Sequence, residues 1–220
     1  MDITSEVRYS GGRGRRPLAV LAVPAAIATA LAGLWVAGGV ITNDFRASMG
    51  LTALWFAIVF GASLLLWRRV RALRVAAAAA ALTMVVAGGY LAVASMVDRT
   101  VNEALPSAPP VATGSFRSIA HTTTGSAELV ERASGRVLVL RDFRTHPGPD
   151  LQVYVSEGQA SGESIGGAAR VGSLKGNVGN QQYLLPPDID SSRGLTVHIW
   201  CRAFSVPFGA ANLPETGIRR

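Results

Sequence analysis

The stretch that decides the fold is VHIWCRAFSVPFGAA, Val197 to Ala211. Its residues alternate with the period of two of a β-strand, which sets Val197, Ile199, Cys201 and Ala203 on one side and His198, Trp200, Arg202 and Phe204 on the other. It reads as the final long strand of a β-domain. Cys201, the only cysteine among 220 residues, falls on the small apolar face. Free cysteine is among the most buried residue types, so core packing is the plain reading of that position. Outside the cytoplasm, however, an unpaired thiol is exposed to oxidants and has no partner in its own chain. The compartment therefore decides whether a second reading, a reactive group, stands beside the first.

Composition locates the compartment. Hydrophobic residues make up 49% of the chain and charged residues 16%, too apolar for an ordinary soluble protein. The excess is local. Residues 18–42, 51–67 and 75–97 contain no Asp, Glu, Lys, Arg or His, and each run has about the 17 to 25 residues that cross a bilayer as a helix. Three transmembrane helices are expected, the first too long and too soon followed by the others to be a cleaved signal peptide. Arg13, Arg15 and Arg16 precede the first run and Arg68, Arg69, Arg71 and Arg74 separate the second from the third, whereas Arg46 in the intervening loop is balanced by Asp44. By the positive-inside rule residues 1–17 form a cytoplasmic N-terminus, the anchor occupies 18–97 in the plasma membrane, and everything after Val97 is extracytoplasmic.

That topology accounts for much of the net charge of +7. The basic balance points to acidic lipid headgroups, and nucleic acid is not an expected partner. The spans carry no ionisable or haem-ligating side chain, which argues against transport and against a haem held between two membrane helices, and favours a simple anchor.

Residues 98–113, DRTVNEALPSAPPVAT, contain three prolines and no apolar periodicity; they read as a semi-rigid linker that lifts the next module off the membrane. From Gly114 to Leu213 the texture changes to short alternating runs divided by Gly and Pro. This pattern predicts an all-β, antiparallel sandwich. Ser126–Glu131 and Gly135–Phe143 suggest a hairpin around ERASG, LQVYV at 151–155 a strand, SEGQASGESIGGAA a long polar loop, and GSLKGNVGNQQYLL a weaker strand pair.

In order and spacing, FRSIAHTTTGSAELV, VLVLRDFRTHPGPDLQVYVS, VGSLKGNVGNQQYLLP and VHIWCRAFSVPFGAANL resemble the electron-transfer DM-thirteen domain, a small extracellular β-domain often found beside DOMON domains. The resemblance spans about Gly114 to Leu213. It implies a redox role through the single cysteine of the family's motif, here IWC and hence Cys201, acting as a naked thiol or through a bound group such as haem. It also implies, as a companion, His121, which matches the family's histidine after the first strand. A redox protein of the membrane or cell surface is then the expected partner. The chain departs from the family in carrying three transmembrane helices and no DOMON partner.

The remaining residues add little chemistry. His146, before Pro147, reads as a turn residue and His198 faces away from Cys201. No histidine or methionine follows Cys201, which disfavours blue copper. There is no CxxCH for covalent haem and no CxxC for dithiol exchange. The chain reads as an electron-transfer accessory rather than a turnover enzyme; the alternative is a cell-surface binding or structural module in which Cys201 is packing. LPETG, residues 213–217, resembles a cell-wall sorting signal but lacks the hydrophobic span that normally follows, so 214–220 read as a plain tail.

Overall fold

Apolar runs of this length must satisfy their backbone internally, and they do so as helices. The computed structural model describes residues 16–42 and 45–215; Arg13, Arg15 and the tail from Thr216 onward, with the last two residues of LPETG, lie outside them. Helix α1 spans Arg16–Gly39, α2 Phe45–Arg69 and α3 Arg74–Ala94. All three are long and apolar enough to cross a membrane. They pack through small residues: a Cβ on Gly33 would come within 2.1 Å of the Trp55 ring, so glycine lets the indole lie against α1. From there Trp55 Nε1 donates to the Ala30 carbonyl at 3.0 Å. Arg68 and Arg69 end α2 and Arg74 begins α3. Chain direction puts this basic joint at the opposite end of the bundle from the C-termini of α1 and α3.

Nine strands follow: β1 Thr100–Asn102, β2 Ala112–Ser118, β3 Thr123–Arg132, β4 Gly135–Thr145, β5 Leu151–Glu157, β6 Ala169–Ser173, β7 Val178–Leu184, β8 Leu195–Cys201 and β9 Val206–Leu213. The expected antiparallel sandwich is corrected on two counts. The strands form one continuous sheet in the order β1-β7-β4-β3-β2-β9-β8-β5-β6, and the sheet is mixed, because β1 lies parallel to β7. Strand β2 joins the two wings: Ala112–Ser115 pair with β3, whereas Phe116–Ser118 pair with β9. The sheet curls there, so that Leu129, Leu138, Leu140 and Phe143 of one wing share a core with Val153, Val197, Ile199 and Cys201 of the other. Each such aliphatic side chain contributes about 1.5–3 kcal/mol on burial. Phe116, at the bend, packs edge-on against Phe143 with ring centres 5.1 Å apart.

Three local readings also change. Residues 98–113 are not all linker, since Thr100–Asn102 add a strand to the sheet edge. The backbone there runs so close to β7 that side chains are excluded: a Cβ on Gly179, itself at φ +107°, would lie 2.1 Å from the Val101 carbonyl oxygen, and one on Gly176 would lie 2.4 Å from that of Arg99. Strands β6 and β7 are not a pair; β6 bonds β5 and β7 bonds β4, on opposite wings. Finally, Val197–Ala211 is not one strand but two, turning back at Arg202–Ser205. Ser205 takes a left-handed φ of +52° to make that turn, a conformation ordinarily left to Gly, Asn or Asp. The hairpin around ERASG forms as read, with Arg132 opposite Gly135.

Candidate functional site

The hairpin places Cys201 as the last residue of β8, opposite Val206 of β9 and Leu151 of β5. The alternation assigned from sequence holds up to this point: Val197, Ile199 and Cys201 all face the core. Cys201 is 0% exposed. Burial pushes its thiol up to about 11, against an ordinary 9.0, although the backbone N–H groups of Asp150, Phe204 and Ala203 point at the sulfur and oppose the shift. The sulfur therefore stays protonated at neutral pH, while the amides around it are arranged to favour a negative charge.

The turn after Cys201 is clamped from β5. Arg202 donates its backbone N–H to the Asp150 carbonyl at 2.9 Å and its Nε to Asp150 Oδ2 at 2.8 Å. Gln152 Nε2 donates to the other carboxylate oxygen at 2.5 Å. The ion pair raises the Arg202 guanidinium above its usual range. Asp150 is the last residue of the turn HPGPD, immediately before β5. What connects it to Arg202 is the register of β5 on β8, a non-local fact that the segment 147–150 does not disclose.

On its far side the same turn rests on the helices. A Cβ on Gly38 would lie 2.6 Å from the Ala203 carbonyl oxygen and 3.8 Å from Thr52 Oγ1, so α1 reaches the turn through bare backbone. Ser48 fixes the end of α1 by donating to the Gly38 carbonyl. Tyr90 of α3 donates its hydroxyl to the Pro149 carbonyl at 3.4 Å, beside Asp150. The end of the domain that carries Cys201 is thus the end seated on the bundle.

His121 lies in the loop after β2. Its ring stacks on Phe208 with centres 4.0 Å apart and sits 5.4 Å from that of His146. Burial, and secondarily the neighbouring imidazole, lower its pKa. The structure brings His121 together with Phe208 and His146. His198 does face away from Cys201, under the loop 158–168, where its Nε2 meets Ser156 Oγ at 2.9 Å. Among the described residues no group of three or more His, Cys, Asp or Glu gathers to hold a metal ion.

An axial haem ligand needs a sulfur open to a flat cavity. Cys201 is sealed between Leu151, Val206 and the turn amides, so the residues around it do not fit haem in this conformation.

No match was found among curated proteins or among solved structures. One family model does match, the one described as Electron transfer DM13, over residues 115–213. That range runs from the second strand to the last residue of the ninth and includes the whole Cys201 hairpin. The part of this chain that matches the electron-transfer DM13 family is thus its curled β-domain.

Proposed function

We propose that this chain is a membrane-tethered electron-transfer module, its β-domain held at the extracytoplasmic end of three transmembrane helices, with Cys201 as the redox group. The observation that carries the reading is the match of residues 115–213 to an electron-transfer family. The position of Cys201 supports it, because one tight turn separates the sulfur from the helices. The arginines at the α2–α3 joint support the orientation, since they lie at the end of the bundle away from the domain. In such a role one electron passes from the sulfur to a redox protein of the membrane or cell surface. The thiol proton leaves with it, so that neutral thiol becomes neutral thiyl. The test is voltammetry of the full chain in lipid nanodiscs on an electrode. A one-electron wave is expected, and it should vanish in both Cys201→Ser and Cys201→Ala; a wave that persists in these variants refutes Cys201 as the redox group.

The complete burial of Cys201 favours a second reading, a binding or structural module in which the thiol is core packing. On that reading the wild type gives no wave, the thiol reacts only after denaturation, and Cys201→Ala costs about 1 kcal/mol, as expected of a small core truncation.

A further inference from the structure

Between the bundle and the β-domain lies a cavity of about 310 Å³, walled by Leu34 and Trp35 of α1, Leu91 of α3 and Phe204 of the β8–β9 turn. Thr52 of α2 also lines it, and the Asp150–Arg202 ion pair closes its domain side. Thr52 is 7% exposed, and its buried Oγ1 has no hydrogen-bond partner. That is unusual for a helical hydroxyl, which ordinarily returns to the carbonyl four residues back. Thr83 does so to Ala79 at 2.8 Å and Ser95 to Leu91 at 2.7 Å. Ser48, one turn before Thr52, donates to Gly38. A buried hydroxyl left unpaired costs about 1–3 kcal/mol, which an acceptor brought beside Thr52 would recover.

The other walls say what the acceptor belongs to. Leu31 and Trp35, which also line the cavity, are 46% and 67% exposed on the apolar outer face of α1, so an occupant enters from lipid. The domain side offers a donor and an acceptor together, the Arg202 guanidinium and the Asp150 carboxylate. The volume is at the small end of ligand cavities, suited to a ring rather than a whole lipid. An acyl chain would leave Thr52 unpaired. A flat ring with an oxygen at each end satisfies both sites, accepting from Thr52 and Arg202 when oxidised and donating to Asp150 when reduced. We propose that this cavity binds the headgroup ring of a lipid-soluble quinone. The choice of a quinone over other lipophiles rests on the electron-transfer reading; the binding itself does not require Cys201 to be the redox group.

Calorimetric titration of the full chain in detergent micelles with decyl-substituted benzoquinone tests this, with decylbenzene as the ring that lacks oxygens. One saturable site per chain is expected, weakened about tenfold in Thr52→Val by loss of one buried hydrogen bond, retained in Thr52→Ser, and abolished when Leu34→Trp fills the cavity. Absence of a saturable site, equal affinity in Thr52→Val, or equal binding of decylbenzene would each overturn the proposal. Should Leu34→Trp fail to fold, the Val and Ser variants at position 52 still decide. A Cys201 wave without quinone binding sinks only this inference, whereas quinone binding without the wave sinks only the thiol as redox group.

Discussion

Raising the pH should weaken the β-domain through one atom. The Cys201 thiol ionises at about 11 in the folded protein against 9.0 for an unburied thiol. Its folded value is the higher one, so the stabilisation is fully present below pH 9 and is lost as the pH climbs to 11, where the unfolded chain sheds a proton that the folded chain retains. Each pH unit of separation is worth about 1.4 kcal/mol, so the loss across the window is roughly 2 to 3 kcal/mol. Tyr183 is also pushed up, chiefly by burial, and its phenol contributes in the same direction above pH 10. Subtracting the profile of Cys201→Ala removes that common background. The measurement is guanidinium unfolding of the full chain in micelles, followed by the β-sheet circular dichroism, at half-unit steps from pH 7.5 to 11 for wild type and variant. The wild type should lose its lead as the pH rises and fall below the variant before pH 11, since a loss of roughly 2 to 3 kcal/mol exceeds the about 1 kcal/mol that the truncation costs. Parallel profiles across the window would show a sulfur ionising as in solvent, and the sealed position of Cys201 in the core would be wrong.

Other consequences are more local. Alkylation of Cys201 at pH 8 should run at least about a hundredfold slower in the native protein than in guanidinium, from the scarcity of thiolate alone, as mass spectrometry of the labelled chain would show. Gly38→Val should push the Arg202–Ser205 turn off α1, because its Cβ meets the Ala203 carbonyl oxygen at 2.6 Å; amide exchange at residues 202–205 should quicken while the sheet stays protected. Gln181 is 0% exposed and its side-chain oxygen accepts from the backbone of Lys175 and Gly176 and from the Tyr183 hydroxyl. Replacing it with Ala should cost about 2–4 kcal/mol in thermal unfolding, since the Gly176 N–H and the Tyr183 hydroxyl lose their acceptor and the Gly176 carbonyl loses the Gln181 amide that donates to it at 2.7 Å. Glu128, 7% exposed, takes two bonds from Arg141 at 2.7 and 2.9 Å; Arg141→Met should cost about 1–2 kcal/mol and make the remaining stability fall with rising salt less steeply than in the wild type.

The parts of this molecule legible in sequence are those set by local pattern. Charge-free runs announced the three helices, and period two put Val197, Ile199 and Cys201 on the core side. Gly135, at φ +120°, marked the β3–β4 turn. What escaped is non-local or chemically silent. Arg202-Ala203-Phe204-Ser205 makes a reversal without Gly, Pro, Asn or Asp, held by Asp150 from the turn before β5. Strand β1 exists because a distant glycine-bearing edge accepts it. The helix contact at Gly38 and the unpaired hydroxyl of Thr52 involve residues ordinary in any long apolar helix, which no periodicity separates from their neighbours. The family motif named Cys201, but only packing reveals that the thiol is sealed and that His121 lies against Phe208 beside His146.

Strand β1 also bears on where the chain can be cut. A soluble fragment begun at Gly114, where the sequence pattern changes, would lose Thr100–Asn102 and bare the backbone edge of β7, with Gly176 and Gly179 no longer covered by Arg99 and Val101. An uncovered, glycine-lined edge is a template for pairing with a second chain. Fragments that start ahead of Asp98 keep the edge closed and retain the contacts of Asn177 with the Asp98 carboxylate and the Arg99 N–H. The smallest piece that keeps this edge covered is therefore longer than the family motif and begins at the end of the third helix.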